Sequence, residues 1–149
     1  MKKYRNYLII ILYGLALTIL LVGLNNVYGS KTDFINQHIV IPQYFRQIFY
    51  QTQNLLPNFV FNLGAGQNIF NYSYYGLLSP IILISYLLPF VKMSTYIMVA
   101  SVILYLASGI LMYVFLKNNK FDEKISLFSA LLLLSTAPLT FHFHHHIMF

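Results

Sequence analysis

The sequence predicts an all-α integral membrane protein of several spans, and three observations predict it. Of 149 residues, 58% are hydrophobic and only 8% are charged, against roughly a quarter charged in an ordinary soluble domain. So little polar surface cannot cover a water-soluble core of this size. The apolar residues are gathered into long runs, Leu8 to Leu24, Tyr96 to Leu116 and Ile125 to Phe141, each near the ~20 residues that cross a bilayer as a helix. The nine Lys and Arg residues behind the net charge of +6 are scattered through loops rather than set along one helix face. That pattern orients spans against an anionic inner leaflet and does not bind nucleic acid. Cysteine is absent, which excludes a disulfide framework, a thiol nucleophile and a cysteine metal site.

Taken in order, Lys2, Lys3 and Arg5 hold the N-terminus in the cytoplasm and the first span follows at Tyr7 to Leu24. A signal peptide is the alternative, but the apolar stretch is longer than the usual core of one. The residues after it, Leu24 to Gly29, also lack a small-x-small cleavage site. An external loop over residues 25–75 comes next. Within it Pro42 opens a stretch where Ile41, Tyr44, Phe45, Ile48 and Phe49 recur at helical spacing, with Gln43, Arg46, Gln47 and Gln51 on the other face. This reads as an interfacial helix on the membrane surface; a helix packed into an external domain is the alternative. Asn62 to Asn68 is too glycine-rich for regular structure, and Tyr72, Tyr74 and Tyr75 suit the headgroup zone.

Residues 76–91 are apolar but short and carry Pro80 and Pro89, so they form either a short span or a re-entrant hairpin. The positive-inside rule favours the hairpin, because it places Lys117, Lys120 and Lys124 on the side of the N-terminal charges. Ser94 to Leu116 then runs inward, residues 117–124 form a cytoplasmic turn, and Ile125 to Phe141 runs outward as the third span. The chain stops at Phe149 without a polar tail and is expected to be the N-terminal part of a longer multi-pass protein of the bacterial cell membrane.

Only three carboxylates are present. Asp122 and Glu123 stand among lysines in the short turn and read as a solvated, charge-balanced loop. Asp33, alone in the external loop, can act as a general base on an acceptor hydroxyl or as a ligand for a divalent cation beside a phosphate leaving group. The plainer alternative is an aspartate capping a turn or helix. His142, His144, His145 and His146 invite a metal reading. Adjacent histidines on a regular helix cannot all face one ion, however, so their expected role is to donate hydrogen bonds or bind phosphate at a helix end. Gly64-Ala-Gly66 lacks the residues and setting of a phosphate loop and reads as a turn.

Thr32-Asp-Phe-Ile-Asn-Gln-His38, Tyr44-Phe-Arg46, Asn62-Leu-Gly-Ala-Gly-Gln-Asn68 and Tyr74-Tyr-Gly-Leu-Leu-Ser-Pro80 together resemble the pattern of the bacterial YfhO membrane-protein family, over essentially the whole chain. The resemblance implies a GT-C-like fold. It also implies a glycosyltransferase that moves a sugar from a polyprenyl-phosphate carrier to an extracytoplasmic acceptor such as teichoic or lipoteichoic acid. The family's acidic residue in the first external loop falls on Asp33, which becomes the expected catalytic group, with His38, Arg46, His142, His144 and His145 as substrate-binding residues. The second acidic position of many such enzymes is taken here by the histidines. A metal-independent mechanism is therefore expected, although a divalent cation remains possible. The fragment alone is expected to be inactive. Two other classes stay open: a flippase or transporter of lipid-linked substrates, which usually carries ionisable residues within its spans, and a non-catalytic membrane subunit.

Overall fold

The computed structural model describes residues 4–25, 29 and 33–140. Among them the regular structure is helical apart from one two-stranded hairpin. The described residues divide into two compact units, one built from residues 4–25 and 99–140, the other from 29 and 33–98.

The first unit holds α1 (Arg5–Asn25), most of α4 (Met93–Asn118) and α5 (Glu123–Ser135). Arg5–Gly23 and Met93–Asn118 are long and apolar enough to cross a membrane. Both are apolar all round, as lipid-embedded helices are. Leu12, Ile19, Leu20, Ile103, Leu111 and Phe115 point outward, so only a narrow seam of each helix is packed against protein. That seam contains Ile10, Tyr105, Tyr113, Ala130 and Leu134.

Glycine sets the packing distance. A Cβ added at Gly109 would lie 2.9 Å from Leu134 and 3.1 Å from Ile10, and one at Gly14 would lie 2.5 Å from Leu106. Small residues that let backbones approach are the usual means of association where lipid leaves no hydrophobic drive between helices. Hydrogen bonds fix direction. At one end Asn6 Nδ2 donates to Tyr113 Oη at 3.0 Å and to Glu123 Oε1 at 2.5 Å. At the other, Tyr105 Oη donates to the Leu134 carbonyl at 2.5 Å and Tyr13 Oη bonds Ser135 Oγ at 2.7 Å. Helices α1 and α5 therefore run one way and α4 the other. Arg5, Lys117, Lys120 and Lys124 are thus gathered at one end of this unit.

The turn at that end is determined locally. Helix α4 closes with Lys120 left-handed at φ 64°, the Lys120 amide on the Lys117 carbonyl and the Phe121 amide on the Leu116 carbonyl, a Schellman cap. Asp122 then caps α5, accepting from the Lys124 amide at 2.8 Å. Those amide bonds hold its carboxyl below the ordinary range.

The third predicted span departs from expectation. Helix α5 ends at Ser135, Thr136 is extended, and only residues 137–140 resume helical geometry. Pro138 has no N–H to offer the Leu134 carbonyl, and the Tyr105 hydroxyl takes that carbonyl instead. The thirteen-residue helix rises only ~20 Å, short of the ~30 Å hydrocarbon layer.

The second unit begins with a five-residue π-helical turn, Phe34–His38, followed by α2 (Val40–Thr52). The strands β1 (Phe59–Val60) and β2 (Gln67–Asn68) pair antiparallel. Gly64, Ala65 and Gly66, all at positive φ, carry the chain between them, so the glycine-rich stretch is a hairpin turn. A 3-10 segment, Ile69–Tyr75, is capped by the Asn68 side chain and ends at Gly76 (φ 94°). Last come α3 (Pro80–Ile84), a single 3-10 turn Ser85–Leu87 and the start of α4. The helical part of residues 76–91 thus rises about 12–14 Å and is too short to cross a bilayer as a helix.

Candidate functional site

The amphipathic pattern of α2 is real, but its apolar face is used differently from the interfacial prediction. Ile41, Phe45 and Ile48 are buried within the second unit, so that face packs on protein. Arg46, expected on the polar face, is buried with them at 3% exposure. A buried guanidinium must be hydrogen-bonded, and this one spans the bend before α4. Its Nη1 donates to the carbonyls of Ser85 (3.4 Å) and Leu88 (3.3 Å), and its Nη2 to Val91 (2.9 Å) and to Gln43 Oε1 (2.9 Å). Tyr50 donates to the Tyr86 carbonyl on the same bend, and the Phe49 and Tyr86 rings pack at 5.1 Å. The Tyr86 hydroxyl, buried beneath, has no hydrogen-bond partner among the described residues.

On either side of Arg46 lies an open groove, of about 380 and 400 Å³. Gln43, Arg46, Gln47 and Pro89 line both; Tyr50 and Gln51 complete one, and Lys92, Met93 and Ser94 are among the residues that complete the other.

A second cluster forms around Tyr75. Asp33, immediately before the π-helical turn, is helical and exposed, and its side chain does not cap that turn. His38, at the far end of the same turn, is buried at 5% exposure with its ring edge-on to Tyr75 at 5.8 Å and 89°. The Tyr75 hydroxyl donates to Gln37 Oε1, and its ring lies 4.0 Å from that of Tyr74 and 6.4 Å from that of Tyr72. Burial first, then the hydrogen bond and charge of Tyr74 and the charge of Asp33, push the Tyr75 phenol up to about 12. The turn thus carries an exposed carboxylate at its start and, at its far end, a histidine packed on a cluster of tyrosine rings.

A family model described as "Bacterial membrane protein YfhO" matches residues 7–149. The chain belongs to that family. No curated protein and no solved structure matches it. In this YfhO-family chain, then, the two long apolar helices belong to a membrane protein.

Of the predicted site residues, Asp33 and His38 stand at the two ends of one short turn, and His38 packs on Tyr75. The structure gives Arg46 a different set of partners, the carbonyls of residues 85–91. His142, His144 and His145 lie outside the described residues. Among the described residues no three His, Asp or Glu side chains are grouped to hold a metal ion. Sequence reading treated the tyrosines as headgroup anchors and missed Tyr75 as the partner of Gln37 and His38.

Proposed function

We propose that this YfhO-family chain belongs to a membrane glycosyltransferase, with a polyprenyl-phosphate sugar as donor and a cell-envelope polymer such as teichoic or lipoteichoic acid as acceptor. The observation that carries the reading is the exposed Asp33 carboxylate at the start of a short turn whose far end, Gln37 and His38, meets Tyr75 of the Tyr72, Tyr74 and Tyr75 cluster. Tyrosine faces suit the apolar face of a pyranose, and a carboxylate on the turn that meets them suits a sugar or acceptor hydroxyl.

In this mechanism Asp33 accepts the proton of the acceptor hydroxyl as its oxygen attacks the anomeric carbon. The bond from that carbon to the phosphate oxygen breaks, and polyprenyl phosphate leaves with the bonding pair. His38 and Gln37 fix the ring of Tyr75 at the site. The cationic Arg46 and the histidines 142, 144 and 145 stabilise the departing phosphate. Gathering Arg5, Lys117, Lys120 and Lys124 at one end of the helical unit supports a cytoplasmic N-terminus, with Asp33 delivered to the outer face.

Two observations favour an enzyme over a flippase. The two spans carry no ionisable side chain between Tyr7 and Gly23 other than tyrosine, and none in α4 before Lys117 except tyrosines. The test is sugar incorporation into envelope polymer in cells making the full-length protein. Asp33→Asn is expected to lower transfer at least 100-fold, within the usual range for loss of a general base, with normal membrane abundance. Full transfer by Asp33→Asn would reject the catalytic role. Loss of transfer in Asp33→Asn but not in Asp33→Glu would separate the carboxylate's chemistry from its packing.

A further inference from the structure

We infer that the groove between α2 and the first turn of α4 binds the phosphate headgroup of a membrane lipid. Arg46 is buried, yet all its hydrogen-bond partners are neutral, three carbonyls and the Gln43 amide oxygen. Its positive charge is therefore held in a low-dielectric setting with no carboxylate against it, where an anion gains most. None of the three carboxylates of the chain lines the groove. Lys92 stands exposed on its rim as a second cation. Because Gln43 turns its carbonyl oxygen to Arg46, its amide N–H groups are left for the groove side, and Gln47 adds another amide.

The backbone adds to the same field. The first hydrogen bond inside α4 runs from the Tyr96 amide to the Lys92 carbonyl, so the amides before it are among those that a helix leaves without an intrahelical partner. Ser94 lines the groove at that point, where the positive end of a 26-residue helix faces an anion.

The ligand's second part is set by location. Helix α4 is one of the two helices long and apolar enough to cross a membrane, and with it spanning the bilayer a groove at its first turn lies at the hydrocarbon boundary. Beside it Leu87 and Phe90 stand 77% and 81% exposed, an apolar border for the chains attached to a phosphate. A volume near 400 Å³ accommodates a headgroup and leaves the tails outside. The inference shares Arg46 with the transferase reading but not its fate, since a lipid phosphate can bind here whether or not a sugar is transferred.

The test uses the full-length protein in nanodiscs of phosphatidylcholine, reading its thermal midpoint as phosphatidylglycerol, undecaprenyl phosphate or inorganic phosphate is titrated in. The wild type is expected to be stabilised by at least one phosphate lipid. Binding should weaken about tenfold in Lys92→Gln and further in Gln47→Glu, which sets a negative charge at the rim; tenfold corresponds to ~1.4 kcal/mol. Both positions are exposed, so neither change threatens folding. Stabilisation by phosphatidylglycerol identifies a bilayer lipid, and stabilisation by undecaprenyl phosphate alone identifies the carrier; either supports the site. Equal binding by the wild type and both variants, stabilisation by inorganic phosphate alone, or no effect of any of the three overturns it. Loss of sugar transfer in these variants without loss of lipid binding would also count against the groove as the lipid site.

Discussion

Replacing Arg46 by Met removes a buried cation while keeping a flexible side chain of similar reach, and the structure says where the loss will be felt. Four hydrogen bonds disappear, but they are unequal. The two from Nη1 are 3.4 and 3.3 Å long, beyond the usual 2.7–3.2 Å and correspondingly weak. The bond to the Val91 carbonyl, at 2.9 Å, is full-strength and charge-assisted. Gln43 is partly exposed and re-solvates, as do the carbonyls of Leu88 and Val91, whereas Ser85 is fully buried and its carbonyl does not. One strong charged bond and the two weaker ones together amount to roughly 2–4 kcal/mol, with the Ser85 carbonyl keeping the Leu88 amide.

That cost falls on the bend itself. The Leu88 amide bonds the Ser85 carbonyl and the Val91 amide bonds the Leu88 carbonyl, so two of Arg46's three carbonyl acceptors also hold a backbone amide. Hydrogen exchange in nanodiscs, read on peptides covering residues 85–92, is expected to speed up about 30- to 1,000-fold at Leu88 and Val91 in Arg46→Met. Arg46→Lys should fall between, since one ammonium cannot span the acceptors that a planar fork reaches. Peptides from α5, in the other unit, should not change. Native exchange at both amides in Arg46→Met would refute the claim that Arg46 holds the bend.

Two further predictions follow from the same physical reasoning. Gly109→Leu places atoms where Leu134 and Ile10 already stand, at 2.9 and 3.1 Å from the first added carbon. The helical unit should lose about 1–3 kcal/mol, measured as a lower thermal midpoint in nanodiscs, while Gly23→Leu, with open space around it, should be neutral. For Tyr75, the folded phenol titrates near 12 against 10.0 when exposed. A raised pKa means stability is complete below pH 10 and is lost as pH climbs through 12. In Tyr75→Phe the fall in stability between pH 10 and 12 should be shallower, and tyrosinate absorbance should show one phenol fewer titrating above pH 11.

What was legible in the sequence is what depends on local composition and near-neighbour chemistry. The Leu8 to Leu24 and Tyr96 to Leu116 runs became α1 and α4 because twenty apolar side chains need no tertiary partner to be helical in lipid. The amphipathic period of α2 and the turn at Gly64 to Gly66 were equally visible, since both follow from spacing or from glycine's freedom at positive φ. The break in α5 was half visible. Pro138 is in the sequence, but that Tyr105 would take up the stranded Leu134 carbonyl is a contact across 29 positions. Arg46 was the clearest failure: helical spacing assigned it to the polar face, where a charge is ordinarily solvated. Burial was decided by the carbonyls of Ser85, Leu88 and Val91, some forty residues away, which the bend before α4 turns toward Arg46. The same holds for Asp33, whose type and loop position the sequence supplied. That residues 69–75 fold back onto the turn it precedes, with Tyr75 on Gln37 and His38, came only from the tertiary structure, because a pattern within one segment carries no information about which distant segment covers it.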